Sequence, residues 1–306
     1  MKHRIGTDRG LTLRMFLTMF LLAMVYLIFM GVLWRIGVSY SLIVVVAVVL
    51  LLVQYFYSDK LILSSLGARE VTAQEAPQLH DTVSRLAQLT DIPMPKVAVI
   101  QSRVPNALAT GRDPKHALVA VTTGILAELT PRELEAVLAH ELSHVIHRDM
   151  RVMAMAGFFA TVAAFIVQNG MWIGMMGGGM SYGGGGRGRR NSAGGGGFIL
   201  VLLVAAVVWA ISFVLIRTLS RYREYAADRG SAIITREPSA LASALQKISG
   251  RMSQIPSDDL RQMQSANALL LLPALTRGSL AEIFSTHPSI EHRLAKLGEL
   301  ERELAG

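Results

Sequence analysis

His140, Glu141 and His144 stand in the order His-Glu-x-x-His within the run HELSH. On a helix, residues four apart project from one face, so the two imidazoles could grip one ion. Glu141, beside them, could then polarise a water on that ion. Thr130-Pro-Arg-Glu133 predicts such a helix: Thr130 as cap, Pro131 at the first helical position, and Glu133 completing a capping box. The pattern is short. In a chain with 8 histidines it arises by chance about once in a hundred sequences, and a surface helix with two solvated histidines is the ordinary alternative.

Two imidazoles hold a metal incompletely. The chain has no cysteine, so no thiolate site and no disulfide framework is possible, and further ligands must be His, Asp or Glu. Zinc suits two imidazoles plus one carboxylate, with a position left open for water. The segment 221–228, RYREYAAD, offers Glu224 and, one turn later, Asp228. Glu224 could be the third ligand, and Asp228 could accept a hydrogen bond from a ligating imidazole. Judged alone, the same segment reads first as an ordinary charged helix beside a membrane. His147 as a fourth ligand would close the site to water, so it is expected not to ligate; His80, His116 and His292 are expected at the surface.

These residues need positioning elements, and composition constrains them. Apolar residues make up 52% of the 306 and charged residues 17%, too greasy for an ordinary soluble domain. The net charge of +8 comes without a nucleic-acid motif; the basic residues flank apolar stretches instead. Residues 15–34 and 36–58 are each long enough to cross a bilayer and read as a helical hairpin. Lys2, Arg4, Arg9 and Arg14 before it, and Lys60 and Arg69 after it, place both ends in the cytoplasm. Residues 152–176 and 198–216 form a second apolar pair around a glycine-rich loop containing Arg187, Arg189 and Arg190. A second spanning hairpin is expected, the alternative being helices that lie on the membrane. The predicted organisation is thus a hairpin (1–58), a first catalytic part (59–151), a second hairpin (152–216) and a second catalytic part (217–306).

Within the catalytic parts, Thr72-Ala-Gln-Glu75 reads as a capping box opening a helix to about residue 89. Residues 96–100 and 116–122 read as strands, with 106–110 between them and GRDP as a turn. A small antiparallel sheet is expected. Further helices are predicted over 221–234, from Pro238 to about Gly250, and from Pro288 to the C-terminus. The metal helix carries Arg132, Glu133, Glu135, Arg148 and Asp149, so it does not span the bilayer, and its chemistry is expected at the membrane surface.

Taken in order, the first apolar pair, HELSHVIHRD, the second apolar pair, REYAADRGSA and STHPSIEHR resemble the HtpX family of membrane zinc metalloproteases, relatives of the CAAX prenyl protease. The resemblance covers nearly the whole chain. It implies a mainly α membrane protein, with four hydrophobic helices and a mostly helical, zincin-like metalloprotease domain. It implies one Zn2+ per subunit on His140, His144 and Glu224, Glu141 as general base, and Asp228 as the acidic residue that follows the third ligand. It also implies that His287 stabilises the oxyanion, and that Asn106, Ala107, Leu108 and Ala109 form an edge strand that holds substrate. Arg293 could anchor this region against a carboxylate. By the same resemblance the protein would serve stress response and quality control, cleaving misfolded or damaged membrane proteins at the cytoplasmic face of the bacterial inner membrane. A scaffold or transporter with a degenerate metal site is the alternative from another class, and intact Glu141 argues against it. A prenyl protease proper would have more spans than four.

Overall fold

The structure is a computed structural model that describes residues 9–35, 49, 64, 66–111, 113–149, 152, 193–256 and 288–305. The chain divides into two compact units. One comprises Met1–Arg14, Tyr55–Val152 and Arg217–Gly306, and the other Met15–Gln54 and Met153–Ile216.

The first unit is built on a four-stranded sheet in the order β1-β2-β4-β3. Its strands are β1 (Arg69–Glu70), β2 (Lys96–Ile100), β3 (Ala107–Thr110) and β4 (Leu118–Thr122). The expectation of an antiparallel sheet is corrected here. β1 with β2 and β3 with β4 are antiparallel, but the central β2 and β4 run parallel, Lys96 facing Leu118 and Ile100 facing Thr122. β4 is buried along its whole length, because core lies on both faces. One cluster holds Val97, Val119 and Val121; the other holds Ala98, Ile100, Leu108, Leu118 and Ala120. Strands buried on both faces read as continuous apolar runs, and parallel pairing suits them.

Four helices pack around the larger cluster: α2 (Pro77–Thr90), α4 (Pro131–Ile146), α6 (Pro238–Met252) and α7 (Ile290–Ala305). A short α3 (Thr123–Glu128) links β4 to α4. The apolar stripe read from α2, with Leu79, Val83 and Leu86, faces this core. The capping box before it exists, Thr72 N–H donating to Glu75 at 2.8 Å, but it closes a turn, and α2 starts only at Pro77. Glu75 is pulled down to about 2, chiefly by the Thr72 backbone, with Arg69 helping. In GRDP, Gly111 takes φ 136° and Asp113 accepts bonds from the amides of Lys115 and His116. That cap makes Pro114–His116 a 3-10 turn, so β4 starts at Leu118 rather than at His116. Pro288 likewise lies before its helix; Ser289 Oγ accepts from the His292 amide ahead of α7.

The box that opens α4 is complete, and Glu133 does more than cap. Its carboxylate accepts from the Thr130 amide at 2.8 Å, from Ser243 Oγ at 2.6 Å and from Lys247 Nζ at 2.8 Å. The start of the metal helix is thereby pinned to α6.

α1 (Arg9–Arg35) and α5 (Ala193–Thr235) contain apolar segments predicted from the sequence. Leu13, Phe16, Leu17, Phe20 and Leu27 stand exposed on α1, and Leu203, Val207, Trp209 and Val214 on α5. Among the described residues one helix, Leu202–Thr235, contains a stretch long and apolar enough to cross a membrane. The four hydrophobic helices expected from the sequence are therefore matched at one place by that measure, and residues 36–48 and 153–192 lie outside the described residues. Two separate predictions, the apolar run 198–216 and the helix 221–234, are one continuous α5 of 43 residues. It also takes in the last five residues of the glycine-rich segment. Once an apolar run has nucleated a helix, extension through glycine costs only about 1 kcal/mol per residue.

Candidate metal centre

Within the first unit, α4 and the part of α5 from Arg217 onward bring the predicted ligands together. His140 and His144 lie one turn apart on α4, their Nε2 atoms 3.2 Å from each other. Glu224 on α5 places Oε2 3.6 Å from His140 Nε2 and Oε1 3.7 Å from His144 Nε2. His140, His144 and Glu224 are a group whose ligand atoms all fall within 4.8 Å of one another. Ligand atoms about 2.0–2.2 Å from a tetrahedral zinc stand about 3.3–3.6 Å apart.

The crossing of α4 and α5 is close. Gly230 faces Ser143, the residue between the two histidines' turns, and a Cβ on Gly230 would lie 2.3 Å from Ser143 Oγ and 2.9 Å from Ser143 Cβ. Ser143 Oγ turns back to the Ala139 carbonyl at 2.8 Å, and Ser231 Oγ donates to the Ala136 carbonyl of α4 at 2.7 Å. An isolated glycine inside a helical pattern is the signal of such a contact, and the sequence reading passed over it.

Each imidazole is held from behind. His140 Nδ1 lies 3.0 Å from Asp228 Oδ1, as the sequence suggested. Arg293 of α7 forks onto Asp228, Nε to Oδ2 at 2.9 Å and Nη2 to Oδ1 at 2.6 Å. The anchoring role suggested for Arg293 thus has a named carboxylate, and this side chain is fully buried. His144 Nδ1 meets Asp149 Oδ2 at 2.6 Å, and Arg223 Nε lies 3.1 Å from the same oxygen. Asp149 and Arg223 are the residues the sequence reading missed. Both stand inside the motifs quoted, but each was counted only as a charge.

Each Nδ1 faces a carboxylate, so a ring that keeps its proton on Nδ1 would present the Nε2 lone pair to one shared place. Two such lone pairs 3.2 Å apart would repel unless a cation lay between them. The charge count agrees. Four buried carboxylates (Glu141, Asp149, Glu224, Asp228) surround the site against two buried guanidiniums (Arg223, Arg293). Ionised, they surround the two imidazoles with an excess of negative charge, which a bound cation would offset. Burial drives the charged form of His140 down, but Asp228 and Glu224 outweigh it and raise the imidazole to about 9. The pocket therefore favours positive charge, and its nitrogen and oxygen donors fit zinc.

Glu141 is buried, and burial raises its carboxyl above the ordinary range; His140, His144 and the Ala109 backbone work the other way. Ala109 belongs to β3, an outer strand of the sheet, so the candidate base lies beside that strand. Asn106 precedes β3: its amide donates to Thr122 Oγ1 at 2.9 Å and its Oδ1 accepts from the Ala107 amide at 3.0 Å. Asn106, Ala107, Leu108 and Ala109 are all buried. His147 is half-buried and outside the ligand group; burial lowers its imidazole. His116 and His292 are exposed, whereas His80 is half-buried and its Nε2 meets the Val71 carbonyl at 2.8 Å. His287 lies outside the described residues.

Known proteins resemble this chain over nearly its whole length. The family model for peptidase family M48 matches residues 73–301. A protease HtpX homolog of Moorella thermoacetica is 56% identical over 305 residues, 99% of each chain. Protease HtpX homolog 2 of Methanosarcina acetivorans is 52% identical over 100% of each, and protease HtpX homolog 1 of Streptomyces coelicolor is 44% identical over 99% of this chain and 97% of that one. The crystal structure of S. mikatae Ste24p has the same fold at 17% identity, with a TM-score of 0.54 over 93% of this chain and 67% of that one. A family match over residues 73–301, together with relatives up to 56% identical over nearly the whole length, places the chain in peptidase family M48, a family of metalloproteases.

Proposed function

We propose that this metalloprotease is a zinc-dependent endopeptidase working at the cytoplasmic face of the bacterial inner membrane, on misfolded or damaged membrane proteins. The observation that carries the reading is the convergence of His140, His144 and Glu224, with Glu141 next to His140 on the same helix and beside β3. His140, His144 and Glu224 would hold the ion. Zinc, when bound, supplies Lewis-acid polarisation of a carbonyl and activation of water.

The chain's own residues supply the proton traffic. Glu141 takes the proton of the attacking water and delivers it to the leaving amine. Its carboxyl, raised by burial, is a better base than a solvated glutamate, and a base matched to its task contributes about 10²–10⁴ in rate. β3 has no described strand on its outer side, so an extended peptide can add there, read mainly through its backbone. Such reading tolerates many sequences, which suits a protease for damaged substrates. His287 would donate to the oxyanion. A multi-pass anchor with two hairpins accounts for the 80 positions between His144 and Glu224, because both pieces of the catalytic unit then share a compartment.

The test is zinc content and casein cleavage by the full chain in detergent. Glu141→Gln should keep one zinc and lose cleavage by about 10²-fold or more; undiminished cleavage would overturn the mechanism. Glu224→Ala should lose zinc as well, and unchanged stoichiometry would remove Glu224 from the ligand set.

A further inference from the structure

Asp149 sits where a carboxylate is costly. It is buried, it lies just past the end of α4, where the helix dipole disfavours negative charge, and burial alone would hold it neutral. Nor does regular geometry bring it to His144. In a continuing helix a residue five positions on is rotated about 140° away. The chain instead breaks at Arg148, which takes the left-handed φ of 56°. There the Arg148 amide still caps α4 by donating to the Val145 carbonyl at 3.1 Å, and Asp149 is turned back onto His144 at 2.6 Å. A non-glycine residue is held in that conformation only against backbone strain. Arg223, buried and 3.1 Å from the same carboxylate oxygen, supplies the countercharge. It also directly precedes Glu224, so one turn of α5 carries both a candidate ligand and the anchor of the opposite imidazole's partner.

We propose that Asp149 is a positioning residue for His144. Held by Arg223, it fixes the ring and keeps its proton on Nδ1, so that Nε2 is presented as a donor. His140 then has one aspartate–arginine couple, Asp228 with Arg293, and His144 has another, Asp149 with Arg223. The inference rests on the zinc reading above.

Its test is zinc affinity, measured by competition with a chelator on the full chain in detergent. Asp149→Ala should weaken zinc binding about 10–100-fold. Asp149→Asn, whose amide oxygen can still accept from Nδ1–H, should lose less. Arg223→Met should weaken binding, and the double variant Asp149→Ala/Arg223→Met should be no worse than Asp149→Ala alone, since Arg223 acts through Asp149. Saturating zinc should restore much of the cleavage lost by Asp149→Ala. The proposal is overturned if Asp149→Ala binds zinc within threefold of the unsubstituted chain. It is equally overturned if Asn is as damaging as Ala, or if the two losses multiply. Should Asp149→Ala fail to fold, Asp149→Asn and Arg223→Met decide between the same outcomes. An unsubstituted chain that binds no zinc would sink the metal reading itself; one that binds zinc while these variants do too would sink only the role of Asp149.

Discussion

Gly230→Ala adds one methyl group where α5 crosses α4. The new Cβ would start 2.3 Å from Ser143 Oγ and 2.9 Å from Ser143 Cβ. The hydroxyl can rotate away at the expense of its bond to the Ala139 carbonyl. The Cβ cannot rotate, because the backbone of α4 fixes it. Carbon atoms settle at about 3.5–4.0 Å, so the helices must part by roughly 0.6–1 Å. Overpacking of this kind costs about 1–3 kcal/mol. His140 and His144 ride on one helix and Glu224 on the other, so the same displacement spreads the ligand set, and a 1 Å misplacement costs about 10²-fold in rate. Gly230→Ala should therefore lower thermal stability, zinc affinity and casein cleavage together. Ser143→Gly removes both clashing atoms, so Ser143→Gly/Gly230→Ala should regain zinc affinity even though the added helical glycine costs about 1 kcal/mol of stability. Wild-type zinc affinity in Gly230→Ala would refute the reasoning, as would a double variant no better than the single one.

Two further substitutions test parts of the fold away from the ligands. Burial opposes ionisation of Glu133, but Lys247, Ser243 and Thr130 outweigh it and hold the carboxyl at about 2. Its stabilising contribution is present above the unfolded value near 4.5 and is lost as pH falls from there towards 2. Glu133→Ala should cost about 1–2 kcal/mol at neutral pH and flatten the acid limb of the stability profile, measured by unfolding from pH 7 to 3; an unchanged acid limb would count against this cluster. Arg236, exposed at the end of α5, takes φ 58° while its amide bonds the Ala232 carbonyl at 2.9 Å. Arg236→Gly should raise stability by up to about 1 kcal/mol without changing cleavage, and a lower melting temperature would show that the arginine side chain contributes more than its backbone strain costs.

Much of the catalytic unit could be read from local chemistry. Thr130, Pro131 and Glu133 announce α4, and the spacing of His140 and His144 announces what α4 is for, because caps and helical periodicity are written in neighbouring residues. Glu224 and Asp228 are a turn apart on α5 for the same reason, although only the whole succession of motifs pointed to them. What could not be read depends on tertiary approach. The direction of β2 against β4 is invisible in Lys96–Ile100 and Leu118–Thr122, since strands buried on both faces carry no alternation to set direction or register. Asp149 reaches His144 only through a left-handed arginine, and no residue type marks that turn. Gly230 drew no notice in the sequence, and its missing side chain is the space that Ser143 occupies.

Arg293 comes from the last described helix, yet it clasps Asp228 behind His140. The chain must therefore be synthesised past residue 293 before the site is complete. A nascent polypeptide that has emerged as far as residue 152 carries both histidines and the glutamate base, but neither Glu224 nor Asp228. One that stops before residue 293 leaves the Asp228 carboxylate without the guanidinium that compensates its burial. Biosynthesis itself thus delays proteolytic competence, and a truncated product made by interrupted translation is left without an assembled cutting site.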